Sequence, residues 1–274
     1  MSEAVEVKGM VLSALPYREY DKRITLLTCE RGKITVFANG ARKPSSQMAA
    51  VTQPFVMGTF SVYPGRGTYN LKGFTPGQYF EEMSRDIENT VYGSYFLELA
   101  SYYTKENEDG TQTLNLLYVT FRALLRGTPG RDGIRRIFEL RMAYENGFFP
   151  GTTICSACGK ALTGPGGEGG YFLPWEHGIY CRSCMERRKE EYKLHLKEQG
   201  GVHKREIELS PAVLSAMDYI VRGNLKDLYY PEYDPAALEK IGEVMEVFRE
   251  SLGKTHFRSL DVLDQLKELS LPGR

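Results

Sequence analysis

The chain has 274 residues, and 35 Lys/Arg balance 35 Asp/Glu for a formal net charge of zero. With 42% hydrophobic and 26% charged residues, it has the composition of a folded globular protein, not of a disordered or fibrous one. No apolar run approaches the roughly 20 residues of a membrane helix, and the N-terminus lacks the basic and apolar regions of a secretory signal, so the expected compartment is the cytoplasm.

The length allows two domains. Charge is unevenly divided between the two ends. Residues 1–80 hold ten Lys/Arg against five Asp/Glu, net +5, which leaves net −5 for residues 81–274. Such asymmetry points the first segment towards an anionic partner.

Residues 5–15, 22–28, 33–39, 54–63 and 68–75 are rich in Val, Ile, Thr, Phe and Tyr and are broken by turns at 30–32 and 65–67. Five short strands of this kind predict a small closed barrel over residues 1–80. The five-stranded OB-fold is the preferred form and an SH3-like barrel the second choice. Cys29 reads as a small packing residue near a strand end.

Beyond residue 80 the apolar period becomes helical. Val91, Tyr95, Leu99 and Tyr102 share one face. Leu114, Leu117, Phe121, Leu124 and Leu125 share another, and Thr128-Pro129-Gly130 stops that helix. Ile134, Ile137, Phe138, Leu140 and Tyr144 mark a third helix, with Gly147 just past its end. Ser210-Pro211 and Asp234-Pro235 are cap-plus-proline starts for two more, and Ser259 caps a last one. The fold class is therefore α+β: a barrel at 1–80, then a mainly α-helical domain at 81–274 with a metal-binding insertion at 151–185.

That insertion holds the sharpest signal. Cys155-Ser156-Ala157-Cys158 and Cys181-Arg182-Ser183-Cys184 are two pairs of thiols, each spaced to share one tetrahedral ion. In a reducing compartment such pairs favour metal over disulfide, and four thiolates close the shell of one structural Zn²⁺. His177 is then not needed as a ligand, and His195, His203 and His256 show no ligand spacing. The Gly-rich stretch 164–170 reads as a loop with neither helical nor strand pattern. After it, Arg182, Arg187, Arg188, Lys189, Lys193, Lys197, Lys204 and Arg205 alternate with glutamates, as on an exposed charged helix.

In the barrel, Tyr17-Arg18-Glu19-Tyr20-Asp21-Lys22-Arg23 interleaves aromatic rings with cations, and Lys33, Arg42, Lys43 and Arg66 follow near strand ends or in turns. Cations for phosphates beside rings for stacking suit sequence-tolerant strand binding. Arg18, Lys22, Arg23, Lys33, Arg42, Lys43 and Arg66 are the candidate nucleic-acid contacts, expected on one barrel face. The competing reading is a solvated rim over an aromatic core. No GxxxxGK[ST] loop, GxSxG elbow or HExxH helix occurs, so no catalytic residues are assigned. Two alternatives are a zinc-assisted nuclease or thiol oxidoreductase, and an RNA- or ribosome-associated OB/zinc protein.

Several stretches together resemble the RecO family of bacterial recombination mediators. They are Gly9-Met10-Val11-Leu12 with Glu19-Tyr20-Asp21-Lys22-Arg23, then Ala38-Asn39-Gly40-Ala41-Arg42-Lys43. Phe138-Glu139-Leu140-Arg141 and Gly147-Phe148-Phe149-Pro150 precede the first cysteine pair, and Gly178-Ile179-Tyr180 precedes the second. Lys254-Thr255-His256-Phe257-Arg258-Ser259-Leu260 completes the series. Asn39 stands where that family commonly has lysine. The resemblance implies an OB-fold, a zinc-bearing helical domain, and binding of single- and double-stranded DNA without sequence preference. It also implies annealing of complementary strands, including strands coated by single-stranded DNA-binding protein (SSB). The partners it implies are RecR, often RecF, and the SSB C-terminal tail, docked in a groove of the helical domain, with no covalent chemistry.

Overall fold

A computed structural model describes residues 3–199, 205–252 and 256–270; the anticipated basic residue Lys204, together with His203, Lys254 and Thr255, lies outside them. The chain divides into two compact units, Met1–Gly127 with Phe257–Arg274, and Thr128–His256.

The first unit is built on strands β1 (Val5–Tyr17), β2 (Asp21–Thr28), β3 (Gly32–Ala38), β4 (Val56–Pro64) and β5 (Tyr69–Tyr79). They close in the order β1-β2-β3-β5-β4, an OB-like barrel in which β3 and β5 run parallel and every other pair is antiparallel. Strict alternation makes the barrel. Along β3, Ile34, Val36 and Ala38 face inward while Lys33, Thr35 and Phe37 face outward, as the two-residue period of a strand requires. The interior is filled by Val7, Val11, Ile24, Leu26, Ile34, Val36, Val56, Phe60 and Val62. A bulge between Val11 and Ser13 lets the long strand β1 serve both β2 and β4. Gly32 turns the β2–β3 hairpin at φ +60°, and a Cβ there would lie 2.1 Å from the Lys105 carbonyl oxygen, so both backbone and space call for glycine.

One helical turn, α1 (Met48–Val51), sits between β3 and β4. Helices α2 (Ile87–Tyr103) and α3 (Thr111–Arg126) follow the barrel. The Asp86 carboxylate accepts from the Asn89 N–H to start α2, and Gly127 in the left-handed region ends α3. The late helix α8 (Arg258–Ser270) returns to this unit. Its first turn is held by Glu98 of α2, whose carboxylate accepts from the Arg258 and Ser259 N–H groups and from the Ser259 hydroxyl. Phe257 packs edge-on to Tyr95 and Tyr102, with centroids at 6.0 and 5.5 Å.

The second unit holds α4 (Arg131–Glu145), β6 (Gly170–Leu173), β7 (Gly178–Tyr180), α5 (Arg182–Gln199), β8 (Ile207–Leu209), α6 (Pro211–Arg222) and α7 (Pro235–Ser251). Ser210 and Asp234 cap α6 and α7 through side-chain oxygens, each with proline in the first turn. Phe149, Phe172 and Phe248 form an aromatic centre. Beside it a buried Glu139 accepts from Arg135 and Arg249 at 3.1 and 3.2 Å, tying α4 to α7. The small sheet β7-β6-β8 does not appear in the sequence pattern. Gly170, the last residue of the glycine-rich stretch expected to be loop, instead opens β6, because β8 pairs with it from 34 or more residues later in the chain. The charged helix expected after the second cysteine pair is α5.

Candidate metal centre and nucleic-acid interface

Cys155 and Cys158 lie on a tight knuckle. The Cys155 N–H donates to the Lys160 carbonyl at 2.8 Å and the Gly159 N–H to the Cys155 carbonyl at 3.0 Å, with Gly159 at φ +72°. Cys181 and Cys184 come from the end of β7 and the first turn of α5. Two hydrogen bonds staple the halves together: Ser156 N–H to the Ile179 carbonyl at 2.8 Å, and Ile179 N–H to the Ser156 hydroxyl at 3.1 Å. All four sulfurs lie within 4.8 Å of one another, and Cys158 and Cys181 are 3.7 Å apart. Ligands about 2.3 Å from a tetrahedral ion are separated by about 3.8 Å, so the donors already have the size of a metal shell. His177 is not among them; its ring packs against Phe248.

The thiols differ in their tendency to ionise. Burial pushes the Cys155 thiol up, but N–H groups of Cys158, Cys181 and Ala157 aimed at its sulfur bring it below the ordinary value. Burial likewise opposes ionisation of Cys181, yet the Ser183 hydroxyl and the Cys184 N–H hold it at about 6. Cys184, buried and surrounded by the other three sulfurs, is pushed to about 12. Four thiolates in this space repel one another unless a cation sits among them. The four cysteines thus form a site suited to a metal ion that prefers sulfur.

The barrel cations separate into two groups. Arg18, at φ +51° in the β1–β2 turn, lies over the Tyr17 ring at 5.2 Å, and Lys43 approaches the Tyr20 ring at 5.9 Å. Arg42 builds that turn: its guanidinium donates to the Arg18 and Glu19 carbonyls, and its N–H to the Tyr20 carbonyl. Arg23 is exposed on β2, and Arg66 is exposed in the β4–β5 turn. Arg18, Arg42 and Lys43 gather at the β1–β2 turn, and strand register sets Arg23 in a row that runs towards the β4–β5 turn of Arg66. Leu15 pairs with Arg23, Arg23 with Phe37, Phe37 with Asn70 and Asn70 with Tyr63, so the five residues form one outward row across the barrel. Tyr17 packs on Phe37 with ring centroids 4.7 Å apart.

Lys22 and Lys33 are placed elsewhere. Lys22 has the inward parity of Ile24, and its ammonium is half-buried, donating to the Ala49 carbonyl at 3.2 Å and the Thr52 hydroxyl at 3.0 Å. Burial first, and then the nearby Arg42 charge, lower its pKa. Lys33 lies at the opposite end of β3, where its ammonium donates to the Ser101 carbonyl of α2. The expected single face of cations is therefore smaller, and it includes two rings not singled out in the sequence, Phe37 and Tyr63. Their signal was available: each is adjacent in sequence to a core valine, Val36 and Val62, and so must face outward.

Residues 1–80 match the family model described as Recombination protein O N terminal, and residues 84–261 match Recombination protein O C terminal. The chain is 24% identical over 263 residues to the DNA repair protein RecO of Alkaliphilus metalliredigens, covering 96% of this chain and 99% of that one. It is 29% identical over 269 residues to RecO of Bacillus pumilus, covering 97% and 95%. Against RecO of Listeria welshimeri it is 33% identical over 193 residues, covering 70% and 72%. Among the described residues no helix is long and apolar enough to cross a membrane.

Proposed function

The chain belongs to the RecO family of DNA repair proteins, and on that premise we propose that it is a non-enzymatic recombination mediator. In this reading it binds single- and double-stranded DNA without sequence preference and anneals complementary strands. With RecR, and with RecF in some settings, it helps RecA onto SSB-coated DNA in the cytoplasm. The observation that carries the reading is the outward row Leu15–Arg23–Phe37–Asn70–Tyr63, flanked by Arg18, Arg42 and Lys43 at one end and Arg66 at the other. An OB barrel engages oligonucleotides across the β2–β3 face and through its β1–β2 and β4–β5 loops; Arg23 and Phe37 lie on that face, and Arg18 and Arg66 in those loops. The arginines and Lys43 displace counterions from phosphates, while Tyr17, Tyr20, Phe37 and Tyr63 offer faces for bases. Neutralised strands repel each other less, and pairing then proceeds.

Cys155, Cys158, Cys181 and Cys184 would hold one Zn²⁺. When bound, the ion cross-links the knuckle to the start of α5 and leaves no open position for catalysis. The SSB tail is assigned to the helical part of the chain, as an acidic and apolar peptide docking along helices. The direct test is annealing of complementary oligonucleotides coated with the cognate SSB. The parent protein should accelerate pairing, and an Arg18→Ala/Arg23→Ala/Lys43→Ala variant should lose most of that acceleration. Equal rates with and without the protein would refute the reading, and tighter binding of RNA than of DNA would favour the ribosome-associated alternative.

A further inference from the structure

We propose that Cys158 is an oxidation site, and that peroxides convert Cys158 and Cys181 into a disulfide that expels the metal; this rests on the zinc reading above. The four sulfurs are unequal. Cys155, Cys181 and Cys184 are 2, 5 and 6% exposed, whereas Cys158 is exposed to solvent. An oxidant therefore reaches one thiolate of the shell directly and must enter the protein to meet the other three. The neighbours add to the difference, because the Ser183 hydroxyl is 3.4 Å from the Cys181 sulfur and an Arg187 nitrogen is 3.9 Å from that of Cys184. A resolving partner is already in place, with the Cys181 sulfur 3.7 Å from that of Cys158.

The chemistry balances with hydrogen peroxide as the oxidant. The Cys158 thiolate attacks one peroxide oxygen, the O–O bond breaks, and a sulfenic acid forms as hydroxide leaves. The Cys181 thiolate then attacks the sulfenic sulfur, the S–S bond forms and a second hydroxide leaves. Two protons from solvent convert both hydroxides to water. Two sulfurs have given up two electrons, and one peroxide has taken them. The sulfur gap closes from 3.7 Å to about 2 Å. Cys158 sits exposed in the turn closed by the Cys155–Gly159 hydrogen bond, while Cys181 lies between β7 and α5. The disulfide takes one ligand from each half of the site, so only Cys155 and Cys184 remain, too few to close a tetrahedral shell, and the ion is released. The oxidised site should take up zinc again only once a dithiol has reduced the Cys158–Cys181 bond. A repair protein built this way reports the oxidant that also damages DNA.

The test uses the full chain, purified with its metal and titrated with hydrogen peroxide while a zinc-sensitive dye is read. Zinc content is measured first. One zinc per chain, released as the peroxide is consumed, is the expected result. Peptide mapping should then show a Cys158–Cys181 disulfide, two hydrogens lighter than the paired thiols. Cys158→His, which keeps a zinc ligand, should retain its ion at the same dose, and Cys29→Ser should behave as the parent. If Cys158→His does not fold, the map of the parent decides alone. A chain purified without zinc sinks the metal reading itself. A zinc-loaded chain that keeps its ion, or that oxidises first at another cysteine, or that goes to sulfinic acid without a disulfide, overturns only this proposal.

Discussion

Removing charge from one end of the barrel should change how salt acts on DNA binding, by an amount fixed by counting. Arg18, Arg23 and Lys43 are exposed, and none of their charged groups is held by a carbonyl in the way those of Lys22 and Lys33 are. Each phosphate contact on a single strand contributes about 0.7 to the slope of log affinity against log salt. Losing three contacts should flatten that slope by about 2. Between about 50 and 200 mM salt the variant should then lose about 20-fold less affinity than the parent does. Fluorescence anisotropy with a labelled oligonucleotide across a salt series measures this directly. Lys33→Met is the control. It takes a charged donor from the Ser101 carbonyl, so it should cost roughly 1–3 kcal/mol of folding stability and leave the slope unchanged. If Lys33→Met flattens the slope as much as the triple variant does, the division of the cations into two groups is wrong. If the triple variant keeps the parental slope, the barrel row is not the phosphate path.

Phe37→Ala should weaken single-strand binding by about 1–3 kcal/mol with the salt slope intact, because it removes a stacking surface and no charge; a flattened slope would contradict that. Glu139→Ala leaves Arg135 and Arg249 facing each other in a buried site, so urea unfolding should show a loss of about 3–5 kcal/mol. Burial raises the pKa of Glu145, against the opposing pull of Arg141. The fold thus favours the protonated carboxyl: the stability from this group is fully present below the ordinary carboxyl pKa and is lost as pH rises through the raised one. Glu145→Gln should flatten the melting temperature across that acid window, and an unchanged profile would remove Glu145 as its source. Chelation, or Cys184→Ser, should lower the melting transition of the second unit and spare the barrel, with metal content and calorimetry read on the same samples.

The barrel was legible because a strand with one face in a core writes its period into the chain. Ile34 and Val36 alternate with Lys33, Thr35 and Phe37, and no other reading fits that run. The four cysteines were legible because short-range spacing alone brings each pair together. What a cation does was not legible. Lys22 and Arg23 are adjacent and equally charged, yet parity turns one towards α1 and the other to solvent. Lys33 shares the outward parity of Arg23's neighbour Phe37, but a helix from 68 residues later covers that end of the strand. Glu139 was hidden for a similar reason, since a helical period does not reveal which charged residue meets partners from a distant helix. The sheet β7-β6-β8 has strands of three or four residues, too short for alternation to register.

The return of α8 to the first unit has a consequence for how the protein is made. Its partner α2 emerges from the ribosome early, carrying Tyr95 and Tyr102, the rings against which Phe257 later packs. At about 5–20 residues per second, the stretch from Tyr103 to Arg258 takes roughly 10–30 s to synthesise. For that interval Tyr95 and Tyr102 lack the ring that covers them in the finished fold, apolar surface of the kind chaperones bind. The entire second unit must be translated before the first can finish.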